Sequence, residues 1–217
     1  MLLMKIDFVS DVVCPWCAIG LASLQEALSR VAGQGPVALH FQPFELNPQM
    51  GPEGEDITEH LSRKYGISAE QIAQNRQGIQ ARGEALGFHF GERGRTYNTF
   101  DAHRLLHWAG LEGVQLALKT ALLKAYHGDA EDVSNHAVLV RLAEQVGLDG
   151  ERARAILASD TYAAEVRERE QFYQAQGISS VPAVILNDRY LISGGQPPEV
   201  FEQALRQVIQ EADAAAG

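Results

Sequence analysis

The chain contains two cysteines, Cys14 and Cys17, in one Cys-Pro-Trp-Cys segment. An alternating strand pattern covers residues 5–10, and a helical spacing of apolar residues follows the segment, which predicts a strand-to-helix junction at the cysteines. The free N–H groups and the dipole of a helix's first turn stabilise an anion, so they favour the thiolate of Cys14. Pro15 suits the first helical position because it has no N–H. The pattern predicts an exposed nucleophile at Cys14 and a resolving thiol at Cys17, one helical turn later.

A zinc half-site is the main alternative for the two cysteines. Zinc in structural sites takes four ligands, and the sequence has no second cysteine pair. His103 and His107 have i, i+4 spacing and could complete a Cys2His2 set if the fold brought them to the cysteines. Two inert buried cysteines are a further alternative, although flanking Pro-Trp at a strand–helix junction is a poor position for core filling. We therefore favour a redox pair and expect no metal.

Val181 and Pro182 stand directly before a predicted strand over residues 183–186. The peptide bond before proline tolerates the cis form, which other residue pairs rarely adopt. A cis bond here would turn the backbone of Val181 toward Cys14, where its N–H and C=O could pair with an extended substrate peptide. An ordinary trans proline at a sheet edge is the alternative, and the residues alone do not decide between the two.

Asp11 stands three residues before Cys14. A carboxylate at this position could tune the cysteines or relay protons. We favour a position in a solvated loop, with the tuning or relay role as the alternative.

The order of predicted elements is β–α–β, then a block of helices from about residue 51 to 175 with almost no strand signal, then a β-hairpin and a terminal helix. Within the block, Ser134 is the predicted N-cap of a helix that runs to about Val146. Without the block the layout is β-α-β-α-β-β-α. The prediction is therefore an α/β protein with a thioredoxin-like fold and an all-helical domain inserted after the second strand. Residues 1–48 and 159–217 would form the thioredoxin-like domain, and residues 49–158 the inserted domain.

Composition excludes several classes of partner. The 217 residues include 18 Lys+Arg and 28 Asp+Glu, a formal net charge of −10, and such a surface repels the phosphates of nucleic acids. No stretch of about 18 apolar residues is present, so no membrane span is expected. The N-terminal residues lack the pattern of a signal peptide, from which we expect a cytoplasmic protein.

Five segments resemble one known family. The segment of residues 10–20 around the cysteines looks like the active-site segment of the DsbA superfamily, specifically its FrnE-like branch. Matching motifs follow in the same order along nearly the whole chain: Pro43-Phe44-Glu45-Leu46-Asn47-Pro48, Asn98-Thr99-Phe100-Asp101-Ala102-His103-Arg104, Val181-Pro182 and Ser193-Gly194-Gly195-Gln196-Pro197-Pro198. The combination is specific, whereas Cys-x-x-Cys alone would be weak.

This resemblance implies a redox pair at Cys14 and Cys17, with a cis proline at Pro182 as the third catalytic residue. It also implies residues that contact the substrate, namely Pro15, Trp16, Val181, Asn98, His103 and Arg104. The last three would approach the active site from the inserted domain. The alternative for Asn98 is a helix cap, with Asp101 in a capping box. The alternative for His103 and Arg104 is that their side chains form a packed or solvated pair.

The predicted function is thiol–disulfide exchange with protein or low-molecular-weight thiols and disulfides. No cofactor is expected, although glutathione is a candidate co-substrate, and a homodimer is one candidate oligomeric state. The alternative function is that of a glutathione-dependent isomerase or transferase, because kappa-class glutathione transferases and 2-hydroxychromene-2-carboxylate isomerases are similar in architecture. Those enzymes generally carry serine where this chain has Cys14, and a transferase needs no resolving thiol. A non-catalytic binding role is a third possibility. The direction of exchange stays open.

Overall fold

The computed structural model describes residues 3–216, and its first elements form the predicted β–α–β unit. Strand β1 (Met4–Ser10) is followed by helix α1 (Pro15–Arg30) and strand β2 (Val37–Pro43). The two strands pair in parallel, with Phe8 opposite Phe41. Most of β1 is buried because other strands and helices cover both its faces. The end of β1 and the start of α1 thereby fix the segment that carries the cysteines.

A block of helices separates this unit from the rest of the sheet. Its elements are β3 (Glu55–Asp56), α2 (Ile57–Tyr65), α3 (Ala69–Ala85), β4 (Arg95–Thr96), α4 (Phe100–Leu111), α5 (Gln115–Leu123), a π-helix (Lys124–Gly128), α6 (His136–Gln145), α7 (Gly150–Leu157) and α8 (Ala163–Ala175). The two-residue strands β3 and β4 pair antiparallel, which the sequence did not predict because a two-residue strand has no measurable alternation.

The N-terminus of α6 differs from the prediction by one residue. Asn135, not Ser134, is the N-cap, since its side chain accepts hydrogen bonds from the backbone N–H groups of Ala137 and Val138. The Ser134 hydroxyl instead donates to Asp132 Oδ1 at 2.6 Å. Two adjacent residues of suitable type made the sequence ambiguous here.

The C-terminal elements complete the sheet. Strand β5 (Ala183–Leu186) pairs antiparallel with β1, strand β6 (Tyr190–Ser193) pairs antiparallel with β5, and helix α9 (Pro198–Ala216) follows. The hairpin turns at Asn187 and Asp188, whose φ angles of 49° and 55° are those of a tight turn with the right twist for a hairpin. The strand order is β2-β1-β5-β6.

Buried apolar residues form two large clusters. One lies between the sheet and helices α1 and α9, and the other lies among the helices of the block. Val12 and Val13, just before the cysteines, belong to the helical cluster, and Leu46 contacts both. The segment that carries the cysteines therefore lies where the two cores meet. The division at residues 48 and 158 stays a proposal.

Helix α5 is anchored to strand β2 by one side chain. The Gln115 amide accepts a hydrogen bond from Phe41 N at 2.9 Å and donates one to Phe41 O at 3.1 Å. It also donates to Leu106 O at 3.1 Å, which ties the middle of α4 to the same point. Within the described part of the chain, no helix has the length and apolar character needed to cross a membrane.

Candidate active site

The two cysteines lie at the first turn of α1. Cys14 is the N-cap, with extended backbone angles (φ −84°, ψ 114°), and Pro15 occupies the first turn as predicted. The Cys17 N–H donates to Cys14 O at 3.1 Å, and the two residues approach to 3.2 Å. Both thiols are free. Two free cysteines thus lie one helical turn apart at the start of α1.

Cys14 is less exposed than the sequence suggested. It is 4% exposed and Cys17 is fully buried, so the difference in access between them is real but small. Burial raises the pKa of the Cys17 thiol, the neighbouring Cys14 raises it further, and the positive charge of Lys119 acts in the opposite direction. Cys17 is therefore a thiol that needs assistance to ionise.

The Val181–Pro182 peptide bond is cis, as predicted, and it lies beside the first cysteine. Cys14 Sγ donates to Val181 O at 3.7 Å. Gly20 leaves the room for this arrangement, because a Cβ at that position would lie only 3.1 Å from Pro182 Cγ. Helix α1 and the loop before β5 can thus approach closely behind the thiols.

Aromatic side chains border the cysteines. Trp16 is 37% exposed, and the Arg82 guanidinium from α3 lies 5.1 Å from the centroid of its ring. Tyr65, at the end of α2, is exposed. Partial burial of the phenol raises its pKa, and the charge of Cys14 acts in the same direction. The sequence did not identify Arg82 or Tyr65, since neither lies in a recognisable motif.

Asp11 is fully buried, so the prediction of a solvated loop position was wrong. Its Oδ1 lies 3.3 Å from His103 Nε2, and its Oδ2 accepts a hydrogen bond from Leu46 N at 2.7 Å. Burial raises the pKa of the Asp11 carboxyl, but the hydrogen bond and charge of His103 and the Leu46 N–H outweigh burial and hold it below its ordinary value. Asp11 O also accepts a hydrogen bond from Cys14 N at 3.3 Å. His103 therefore contacts the segment before the cysteines by way of the Asp11 side chain.

Arg104 faces away from this segment. Its guanidinium donates to Thr161 O at 3.0 Å, to Asp101 Oδ1 at 2.8 Å and to the carbonyl oxygens of Ile156 and Ser159. These contacts favour a structural role at the end of α7. A substrate-binding role for Arg104 has no support from the contacts.

Asn98 and Asp101 also make local contacts. Asn98 Oδ1 accepts from Phe100 N at 2.9 Å, and its Nδ2 donates to Met50 O at 3.4 Å. Asp101 forms no capping box, because it pairs with Arg104 and with His136 Nε2 at 2.7 Å. Asn98 therefore stabilises the start of α4, and its predicted contact with substrate stays a prediction.

The zinc alternative finds no support in these positions. His103 contacts Asp11, whereas the His107 ring lies 5.0 Å from the ring of Tyr162. Over residues 3–216, no group of three or more His, Cys, Asp or Glu side chains could hold a metal ion. The cysteines and the two histidines do not form one ligand set.

Two buried basic residues behind the cysteines escaped the sequence analysis. His127, in the π-helix, hydrogen-bonds through Nε2 to Val12 O at 2.8 Å, and burial holds its pKa well below the ordinary value. Lys119, in α5, is also fully buried. Its signal in the sequence is a single lysine within an Ala/Leu-rich segment, a pattern that by itself predicts only a helix.

Comparison with known proteins places this site in a family. Residues 5–206 match the model of the DSBA-like thioredoxin domain. A probable DsbA oxidoreductase from Streptomyces coelicolor, SCO1869, is 37% identical, with a TM-score of 0.87 over 94% of this chain and 89% of that chain. Two further structures are similar in fold alone. A 2-hydroxychromene-2-carboxylate isomerase is 16% identical (TM-score 0.73, 97% and 98% covered), and the cytosolic disulfide reductase DsbM from Pseudomonas aeruginosa, solved with GSH, is 17% identical (TM-score 0.64, 95% and 99% covered).

These similarities confirm the predicted fold class and the predicted relation to DsbA. The thioredoxin-like sheet, the helices inserted after β2 and the Cys-Pro-Trp-Cys segment at the start of α1 are all present in their expected order. The match extends over nearly the whole chain, so this protein belongs to the DSBA-like thioredoxin domain family.

Proposed function

We propose that the protein is a thiol–disulfide oxidoreductase that works through Cys14 and Cys17. The observation that carries the proposal is the proximity of two free cysteines, 3.2 Å apart, at the first turn of α1. Cys14 is the N-cap of α1 and keeps the small accessible area that Cys17 lacks. The family's members include oxidoreductases, which is consistent with this chemistry.

Exchange proceeds in two steps in this proposal. The Cys14 thiolate attacks one sulfur of a substrate disulfide, a Cys14–substrate disulfide forms, and the other substrate sulfur leaves with the bonding electron pair. Cys17 then loses its proton and attacks Cys14 Sγ, which releases the second substrate thiolate and leaves the Cys14–Cys17 disulfide. The same steps in reverse oxidise a dithiol substrate. The substrate is reduced by two electrons in the first direction and oxidised by two in the other.

The surroundings of Cys14 suit an extended peptide or a small thiol. Trp16, two residues after Cys14, and Tyr65 are exposed aromatic side chains, and the Val181 carbonyl oxygen lies 3.7 Å from Cys14 Sγ. Backbone groups at this position pair with a peptide whatever its sequence, while the aromatic rings add apolar contact. Protein disulfides are therefore our proposed substrates, with glutathione as the co-substrate that restores the starting state. DsbM, a fold relative solved with GSH, is the support for glutathione.

Isomerase or transferase activity is the second candidate, because a 2-hydroxychromene-2-carboxylate isomerase has the same fold. The retained Cys17 argues against it. A transferase activates one thiol and has no use for a second one 3.2 Å from the first.

Reduction of insulin disulfides by dithiothreitol tests the proposal. We expect Cys14→Ser to abolish catalysis, and Cys17→Ser to accumulate a disulfide between Cys14 and the substrate that mass spectrometry detects. The double variant Cys14→Ser/Cys17→Ser is the control, since it should trap nothing. Wild-type activity in both single variants would refute the redox function.

A second pair of measurements separates the candidates and gives the direction of exchange. Glutathione-dependent isomerisation of an aromatic substrate that survives Cys17→Ser would favour the isomerase class. Equilibration of the two cysteines in glutathione buffers of graded ratio gives the reduction potential. That potential shows whether the protein acts as an oxidant or as a reductant of its substrates.

A further inference from the structure

Lys119 is a buried basic residue without a partner. Its side chain is 0% exposed, and its Nζ has no hydrogen-bond acceptor among the residues that the structure describes. Burying an amino group or an ammonium ion without an acceptor costs free energy, which is why buried lysines are rare and usually paired.

The fold fixes Lys119 in this position. It lies one helical turn after Gln115, and the double hydrogen bond of Gln115 to Phe41 sets the rotation of α5 against strand β2. The Lys119 Nζ lies 5.9 Å from the centroid of the Phe41 ring. Leu118 and Leu122 beside it on α5 are buried as well. The side chain therefore has no route to solvent while α5 stays docked.

The titratable groups whose charges act on Lys119 come from two parts of the chain. Asp11, the N-cap Cys14 and Cys17 lie at or just before the start of α1, and His127 lies on the π-helix. Asp11 already has partners in His103 and the Leu46 N–H. Burial lowers the pKa of Lys119, and the charges of Cys17, Asp11 and Cys14, in that order, raise it. Cys17 is fully buried, as Lys119 is, and carries a negative charge only as the thiolate.

We propose that Lys119 supplies the buried positive charge that stabilises the thiolate of Cys17 during exchange. This inference rests on the proposed redox function. When Cys17 gives its proton to solvent, the thiolate attacks Cys14 Sγ, and the substrate sulfur leaves with the electron pair and takes a proton from solvent. In the reverse direction, a substrate thiolate attacks Cys14 of the disulfide form, and Cys17 leaves as the thiolate. The negative charge is on Cys17 in both directions, so Lys119 serves both.

The reaction of the reduced protein with an aromatic disulfide that releases a coloured thiolate tests this inference. The first release reports attack by Cys14, and the second release reports attack by Cys17 on the mixed disulfide. Lys119→Met keeps the length of the side chain and removes the charge. We expect the second release to slow by about tenfold or more at neutral pH, and its rate to rise only at higher pH than in the wild type. The first release should change less. Lys124→Met is the matched control because Lys124 is exposed on the adjoining helix, and both its releases should match the wild type.

Each outcome has one interpretation. A second release with wild-type rate and pH dependence in Lys119→Met would overturn the role of Lys119, while a wild-type protein that shows no first release would overturn the redox function itself. A merely structural lysine would change the unfolding midpoint and leave the pH dependence of the second release unchanged. Lys119→Gln provides a second uncharged variant, so the test does not depend on the folding of one.

Discussion

Replacing Glu45 with glutamine should stabilise the protein above neutral pH and have little effect in mild acid. Glu45 follows strand β2 and is 6% exposed, and its carboxylate forms an ion pair with Arg167, which also contacts Glu170 Oε2 at 2.8 Å. Glu45 Oε1 and Glu170 Oε1 have no hydrogen-bond partner within the described residues. Burial raises the pKa of Glu45, the negative charge of Glu170 adds to this, and Arg167 opposes both, which leaves the pKa at about 7.

The sign follows from proton binding. The unfolded chain releases the Glu45 proton near pH 4.5, while the folded protein keeps it to about pH 7. Stability from this group is therefore complete below pH 4.5 and is lost as the pH rises through 7. At about 1.4 kcal/mol for each tenfold change in proton affinity, the loss is about 3 kcal/mol, and screening through the half-exposed Arg167 reduces it to about 2 kcal/mol. Glutamine resembles the protonated carboxyl and cannot ionise, so the variant avoids this loss.

Urea unfolding of the wild type and Glu45→Gln, at several pH values from about 4.5 to about 8, measures the effect. We expect the free energies of unfolding to be similar at the acidic end and to diverge in favour of Glu45→Gln by about 2 kcal/mol at the alkaline end. Glu151→Gln is the control, because its side chain is 85% exposed and also faces an arginine. A difference between wild type and Glu45→Gln that stays constant over this range would refute the reasoning.

Two further pairs of substitutions test the contacts of Arg104 and the backbone conformation at two glycines. Arg104→Met should lower the free energy of unfolding by about 3 kcal/mol, because it leaves buried carbonyl oxygens without donors. Arg141→Met, at an exposed ion pair, is the control and should lower it by less than about 1 kcal/mol. Equal losses in the two variants would contradict the structural role of Arg104. Gly78→Ala, at an exposed helical position with no atom near the added Cβ, should stabilise the protein by about 0.5–1 kcal/mol in thermal or urea unfolding. Gly66→Ala should destabilise it, since Gly66 has a φ of 67°, and stabilisation at both glycines would contradict the argument.

The sheet and the placement of the cysteines were predictable because local patterns determine them. Strand β1 alternates, the first turn of α1 carries Pro15, and Val181–Pro182 stands immediately before β5. Each of these signals acts within a few residues of the feature it predicts. The family resemblance then supplied the order in which the elements combine.

The partners of the cysteines were harder to predict because they come from distant parts of the chain. Asp11 has the sequence environment of a loop carboxylate, and its burial depends on His103, 92 residues away. His103 and Arg104 are neighbours in one motif, but successive residues of a helix point about 100° apart, so only one of them can face Asp11. Lys119 lies in a helix whose sequence predicts only its secondary structure. Only tertiary packing brings these groups together.

The hydrogen bonds of Gln115 also affect how the protein behaves in a crowded solution. Strand β2 is at the outer side of the sheet, and an open strand edge is a template on which another chain can add a strand and begin aggregation. The Gln115 amide occupies both the N–H and the C=O of Phe41, as a neighbouring strand would. The inserted helices thus close the middle of this edge against β-sheet addition, so that another chain finds no free backbone groups at Phe41.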